Sequence, residues 1–85
     1  MKIKAEISLT YEDEKKRKAI LMAISPDNVK TPKNLDIKSF IEKNKVITLI
    51  MYNGENLLTL QSTIDDLLSC ISIAEKTISA LKTKN

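Results

Sequence analysis

The stretch "TLQSTIDDLLSCISIAEKTISALK", Thr59 to Lys82, decides the fold. With Asn56 as its N-cap, the segment keeps a heptad: Leu57, Ile64, Ile71 and Ile78 at one position, Leu60, Leu67, Ala74 and Leu81 at the other, although Ser62 or Thr63 with an acid three positions on also resembles a capping box and offers a later start. This repeat predicts an amphipathic helix of about 26 residues, about 39 Å long. Beside the heptad, at about 100° per residue, runs a second stripe of mostly small side chains: Thr59, Thr63, Asp66, Cys70, Ile73, Thr77 and Ala80. Their size suits close approach of another helix.

The rest of the chain predicts what this helix lies on. Lys2 to Thr10 alternates strictly, with Ile3, Ala5, Ile7 and Leu9 on one face and Lys2, Lys4, Glu6, Ser8 and Thr10 on the other, which reads as a half-buried strand. After Tyr11 the period changes. Glu12, Asp13 and Glu14 suit the positive end of a helix, whose basic run Lys15 to Lys18 leads into Ala19, Ile20, Ala23 and Ile24. Pro26 disfavours a helical Ser25, so the helix is expected to stop at "SPDN". "NVKTPKN" reads as a linker. Leu35 to Glu42 alternates again, with Leu35, Ile37, Ser39 and Ile41 on one face and Phe40 opposite, and "EKNK" reads as a hairpin turn. Val46 to Tyr52 is almost continuously apolar, as a central strand should be, and ends at the Asn53-Gly54 turn.

The expected architecture is a single small α+β domain over residues 1–85: strand, helix, strand, strand, helix. The three-stranded antiparallel sheet has order 1-3-2, with two helices packed on one face. The first helix carries the crossover from strand one past strand three to strand two, compatible with the right-handed rule. A seven-residue strand spans only about 23 Å, so the sheet cannot cover the last helix, and its far end, near Ile73 to Leu81, is expected to need a partner. On the outer face, Phe40, Ile50 and Tyr52 are expected to stand among Lys4, Glu6, Ser8 and Lys38 as an apolar patch suited to self-association. Residues 83–85 read as a frayed tail.

Composition narrows the function classes. The chain has no histidine, a lone Cys70, a single Gly54 and no tryptophan. Histidine general bases, Cys/His zinc sites, disulfides and glycine-rich phosphate loops are therefore ruled out, and no catalysis, cofactor or metal is expected. Asp65 and Asp66 point about 100° apart on a helix and read as solvated acids rather than a metal pair. Cys70 reads as a small packing side chain rather than a nucleophile. One unpaired cysteine, and an N-terminus that alternates where a signal peptide needs a continuous apolar core, predict a cytoplasmic protein. No run reaches the roughly 18 consecutive apolar residues of a membrane span, and no membrane partner is expected. The net charge of +3, from 14 basic and 11 acidic residues, is mild.

Two motifs in order, "ISPDN" at Ile24 to Asn28 and "TLQSTIDDLLSCISIAE" at Thr59 to Glu75, make the chain resemble the Pcc-type dimerisation subunit of the KEOPS (EKC) complex, the CTAG/LAGE family. The resemblance spans nearly the whole chain, although Gln61 stands where the family commonly has arginine. It implies a non-enzymatic homodimer whose helices pack against the N-terminal helices of a threonylcarbamoyl transferase subunit. It also implies work on tRNA, since that complex modifies the adenosine beside the anticodon, using threonylcarbamoyl-adenylate. Carried onto this sequence, the expected transferase contacts are Thr63, Cys70, Ile73, Thr77 and Ala80 of the second stripe, with Arg17 and Leu21 as exposed positions of the first helix. The expected homodimer contacts are Phe40, Ile50 and Tyr52, and Lys15, Lys16, Lys18, Lys82 and Lys84 could touch tRNA phosphates.

Three rival readings are weaker. A KH-like RNA-binding module would need a GXXG loop, which one glycine cannot supply, and aromatic side chains interleaved for base stacking are missing. A transcription-associated module would need a helix of base-reading Arg, Asn or Gln. An enzyme would need a base in a pocket, and the carboxylates, lysines and tyrosines stand at no spacing that forces them together.

Overall fold

A computed structural model describes residues 1–25 and 33–82, and for residues 80–82 the backbone alone. In chain order the elements are β1 (Lys2–Thr10), α1 (Glu14–Ala23), β2 (Leu35–Glu42), β3 (Lys45–Asn53) and α2 (Leu57–Lys82). The element order, the antiparallel sheet in order β1-β3-β2 and the two helices agree with the reading of the sequence. α1 ends at Ala23 with Ile24 as its C-cap, in agreement with the expected stop at "SPDN", whereas residues 28–32 of the expected linker Asn28–Asn34 and the tail 83–85 lie outside the described residues.

Register sets which side chains meet. Ile50 lies between Ala5 of β1 and Ile37 of β2, Tyr52 between Ile3 and Leu35, and Val46 between Leu9 and Ile41. All of these point to the face that the helices cover, where Leu35, Val46, Ile50 and Tyr52 join Ile20, Ile24, Leu60, Leu67 and Ile71 in one core. Thr48, also buried there, lies 2.9 Å from the Ser39 hydroxyl and so keeps a polar partner. The expectation that Ile50 and Tyr52 stand on the outer face with Phe40 is therefore corrected: Ile50 is 0% and Tyr52 4% exposed. Side chains alternate along a strand, so only odd-numbered residues of β3 can share a face with Phe40, which pairs with Ile47. The outer face instead carries Ile47, Leu49 and Met51 down its centre.

Each helix begins on a side-chain cap. The Asp13 carboxylate accepts from the Lys15 amide at 2.9 Å, and Glu14 adds negative charge to the first turn of α1. Ile20 and Ile24 drop into the core, and α1 packs against β2, β3 and α2. The Asn56 side chain accepts from the Leu58 amide at 3.0 Å, in agreement with its expected role as N-cap of α2. Of the heptad, Leu60, Leu67 and Ile71 are buried and Ile64, Ala74 and Ile78 half-buried, whereas Leu57 is exposed and the Leu81 side chain lies outside the described residues.

A tight corner joins β3 to α2. The Asn56 amide donates to the Tyr52 hydroxyl at 2.7 Å, and the Gly54 amide donates to the Met1 carbonyl at 3.0 Å. A Cβ on Gly54 would stand 2.5 Å from that same hydroxyl oxygen, so glycine is required here by close approach. The β2–β3 turn is two residues long, with Lys43 at φ 58° in the left-handed region.

A second junction gathers at Tyr11. Its amide donates to the Asn44 carbonyl at 2.8 Å, and its own carbonyl accepts from Arg17 Nη1 at 2.7 Å. Its hydroxyl donates to Glu75 Oε2 at 2.8 Å. The Lys16 ammonium lies 5.2 Å from the ring centroid, within cation–π range. Burial, and then the hydrogen bond to Glu75 and its negative charge, push the Tyr11 hydroxyl well above the usual tyrosine pKa.

Two outcomes follow from these junctions. Gly54→Ala should force Tyr52 from its place and destabilise the domain by about 1–3 kcal/mol, read by urea denaturation. Because folded Tyr11 holds a proton that the unfolded chain releases near pH 10, its contribution is intact below about pH 10 and is lost as the pH rises further. The stability difference between wild type and Tyr11→Phe should therefore be constant from about pH 7 to 9 and shrink by about pH 11.

Candidate helix-docking groove

At 26 residues α2 is about 39 Å long, while the nine residues of β3 span about 30 Å. The molecule is accordingly elongated, 49 × 23 × 17 Å. The C-terminal half of α2 runs along α1, and between them lies an open apolar groove of about 450 Å³. Ala19 and Ala23 of α1 form one wall and Cys70, Ile73, Ala74, Thr77 and Ile78 of α2 the other. The alanines sit one turn apart on the same side of α1, so the groove floor is low enough for another helix to approach. Ile73 is 65% exposed on the rim, an unusual position for a large β-branched side chain in water.

The structure gathers some of the expected contact residues here and removes others. Cys70, a free thiol, Ile73 and Thr77 line the groove together, and the Thr77 hydroxyl is turned back onto the Ile73 carbonyl at 2.9 Å. Thr63 does not reach the surface: it is 2% exposed and donates to the Thr59 carbonyl at 3.0 Å. It lies only about 40° around the helix from Leu67, which puts it on the inner side. Arg17 and Leu21, expected to be exposed, are half-buried. Arg17 folds back over the start of α1, donating from Nη1 to the Tyr11 and Glu12 carbonyls, with its Nε buried. The Ala80 side chain lies outside the described residues.

Ala74 and Ile78 were expected only as part of the far end that needs a partner, and Ala19 and Ala23 of α1 were not expected as contacts at all. Their signal was the small pair at i, i+4 in α1, which sequence periodicity assigns to a core as readily as to a groove.

The basic residues form no single site. Lys15 is exposed, Lys16 lies against the Tyr11 ring, and Lys18 pairs with Glu14 at 3.3 Å. Lys84 and the side chain of Lys82 lie outside the described residues. Among the described residues no group of three or more His, Cys, Asp or Glu could hold a metal ion.

By length and composition alone, Leu57–Ser79 could cross a membrane, with a mean hydropathy of 1.2 over its most apolar stretch. A core helix passes the same test when it is mostly buried; here 22% of that stretch is buried, with Leu60, Leu67 and Ile71 feeding the core.

On the opposite side of the molecule, β3 presents Ile47, Leu49 and Met51 with Phe40 beside them, and Phe40 and Met51 are each 40% exposed. Charged residues flank this strip on both edge strands: Lys4 and Asp36 beside Met51, Glu6 and Lys38 beside Leu49. A hollow of about 250 Å³ lies at the Met51 end.

None of the curated proteins matches the chain. A solved chain from the crystal structure of a binary Gon7–Pcc1 complex shares the fold, with a TM-score of 0.75 over 93% of this chain and 95% of that one, at 16% identity. The family model described as "Transcription factor Pcc1" matches residues 4–79, from β1 almost to the end of α2. The chain belongs to the Pcc1 family, that of the KEOPS subunit which its motifs resemble.

Proposed function

We propose that this protein is a non-catalytic scaffold subunit that binds the threonylcarbamoyl transferase subunit of a KEOPS complex in the groove between α1 and α2, and so supports threonylcarbamoyladenosine modification of tRNA. The observation that carries this reading is the open groove itself, apolar along the C-terminal half of α2, with Ile73 on its rim. An amphipathic helix laid into it would cover Ile73 and Ile78 in the way helix-in-groove complexes do. Membership of the Pcc1 family supports a KEOPS subunit as partner, and the similar solved chain comes from a binary complex of Gon7 and Pcc1. The expected site of action is the cytoplasm.

The second part of the reading is a homodimer formed through the outer sheet face. Phe40 and Met51, with the half-buried Leu49 between the edge strands, form a strip that a second copy would remove from water, and the flanking Lys4, Lys38, Glu6 and Asp36 offer both signs of charge for pairing across a twofold axis. Contact with tRNA would be weak, through Lys15 and Lys18 at most among the described side chains, since Lys16 is held on Tyr11.

Ile73→Asp tests the groove. It places an unpaired charge on the docking surface and should abolish co-purification with the transferase while leaving the circular dichroism spectrum and melting temperature nearly unchanged. Undiminished complex formation would exclude this face. Phe40→Lys tests the dimer: light scattering during size exclusion should give a folded protein of monomer mass, and an unchanged dimer mass would rule out the outer face.

A further inference from the structure

We infer that Tyr11 and Glu75 are a positioning pair that holds the far half of α2 at a fixed distance and roll from α1, and thereby sets the width of the groove; the inference rests on the docking function proposed above.

The pair joins residues 64 positions apart in sequence, Tyr11 where β1 gives way to α1 and Glu75 well into the C-terminal half of α2. Glu75 sits about 80° around α2 from Leu67, whereas Cys70, Ile73 and Thr77 lie about 60–120° around in the opposite sense. The hydrogen bond therefore restrains α2 from the flank away from the groove. Rolling α2 to narrow or widen the groove would stretch this 2.8 Å contact first.

Tyr11 is suited to act as the fixed point because its own position is set three ways. Its amide is bonded to the β2–β3 turn at Asn44, its carbonyl to Arg17 of α1, and its ring is buried with Lys16 against it. Arg17 accordingly serves the groove through Tyr11. The buried Ile20 and Ile24 hold α1 against the core that Leu67 and Ile71 share, but apolar burial is non-directional, and at the groove itself Ala19, Ala23 and Ala74 offer little area to resist rotation.

Tyr11→Phe removes the hydroxyl and keeps the ring, so the core, the Lys16 contact and the backbone bonds stay in place. Amide hydrogen exchange of the full chain, read by NMR, should rise about tenfold for residues 70–79, with the β3 amides unchanged, as expected for loss of one hydrogen bond to a charged group. Affinity for the transferase subunit should fall by a similar factor. Glu75→Gln retains an acceptor and should stay closer to wild type than Tyr11→Phe on both measurements. Unchanged exchange over 70–79, or an equal rise in β3, overturns the inference. If wild type itself ignores the transferase, the docking function fails, and the exchange pattern still decides whether the pair positions α2.

Discussion

The mismatch in length between α2 and the sheet beneath it is the constraint on which the rest of this structure depends. Burying Leu60, Leu67 and Ile71 against the sheet contributes about 1.5–3 kcal/mol per side chain, which fixes the inner side of α2. The helix nevertheless runs about 9 Å further than β3 extends. Its far turns must lie on α1, on a partner, or in water. α1, at 10 residues, reaches only part of the way around them, so an apolar rim is left open.

A domain of this size has few side chains to hold its ends together, and polar contacts do that work at the corners. Tyr52 closes the corner between β3 and α2 against Gly54, and Tyr11 closes the corner among β1, α1 and α2. Both tyrosines bury their rings and direct the hydroxyl to a defined acceptor or donor, as an amphipathic aromatic side chain can. Hydrogen bonds of this kind, local at Tyr52 and 64 residues apart in sequence at Tyr11, contribute modestly each, but they restrict helix roll and tilt in a way that apolar burial does not.

Much of this was legible in the sequence because each element carried its own period. Strict alternation gave β1 and β2, the heptad gave α2, and the acidic run Glu12 to Glu14, the cap at Asn56 and the turn at Gly54 marked boundaries, while the capping role of Asp13 itself came from the structure. Parity within β3 was hidden for a physical reason: a central strand with apolar residues on both faces loses the period-two signal, so Ile50 and Tyr52 could not be told from Ile47 and Met51 without the register. Thr63 read as a surface position because a threonine can also be buried when it bonds the carbonyl one turn back. The inward path of Arg17 and the Tyr11–Glu75 pair depend on tertiary placement across the chain, and no local pattern carries them.

The two unpartnered apolar surfaces lie on opposite sides of the molecule, one between the helices and one on the outer sheet face. This follows from the two-layer architecture: with both helices on one face of a three-stranded sheet, any apolar residue that β3 presents outward is separated from the groove by the thickness of the sheet. A partner on one surface would therefore leave the other free, and neither would need to displace the other. Two copies joined through their sheets would point their grooves outward in opposite directions, so each could hold a separate helical partner. That is the geometry a scaffold requires, and it needs no residue capable of chemistry.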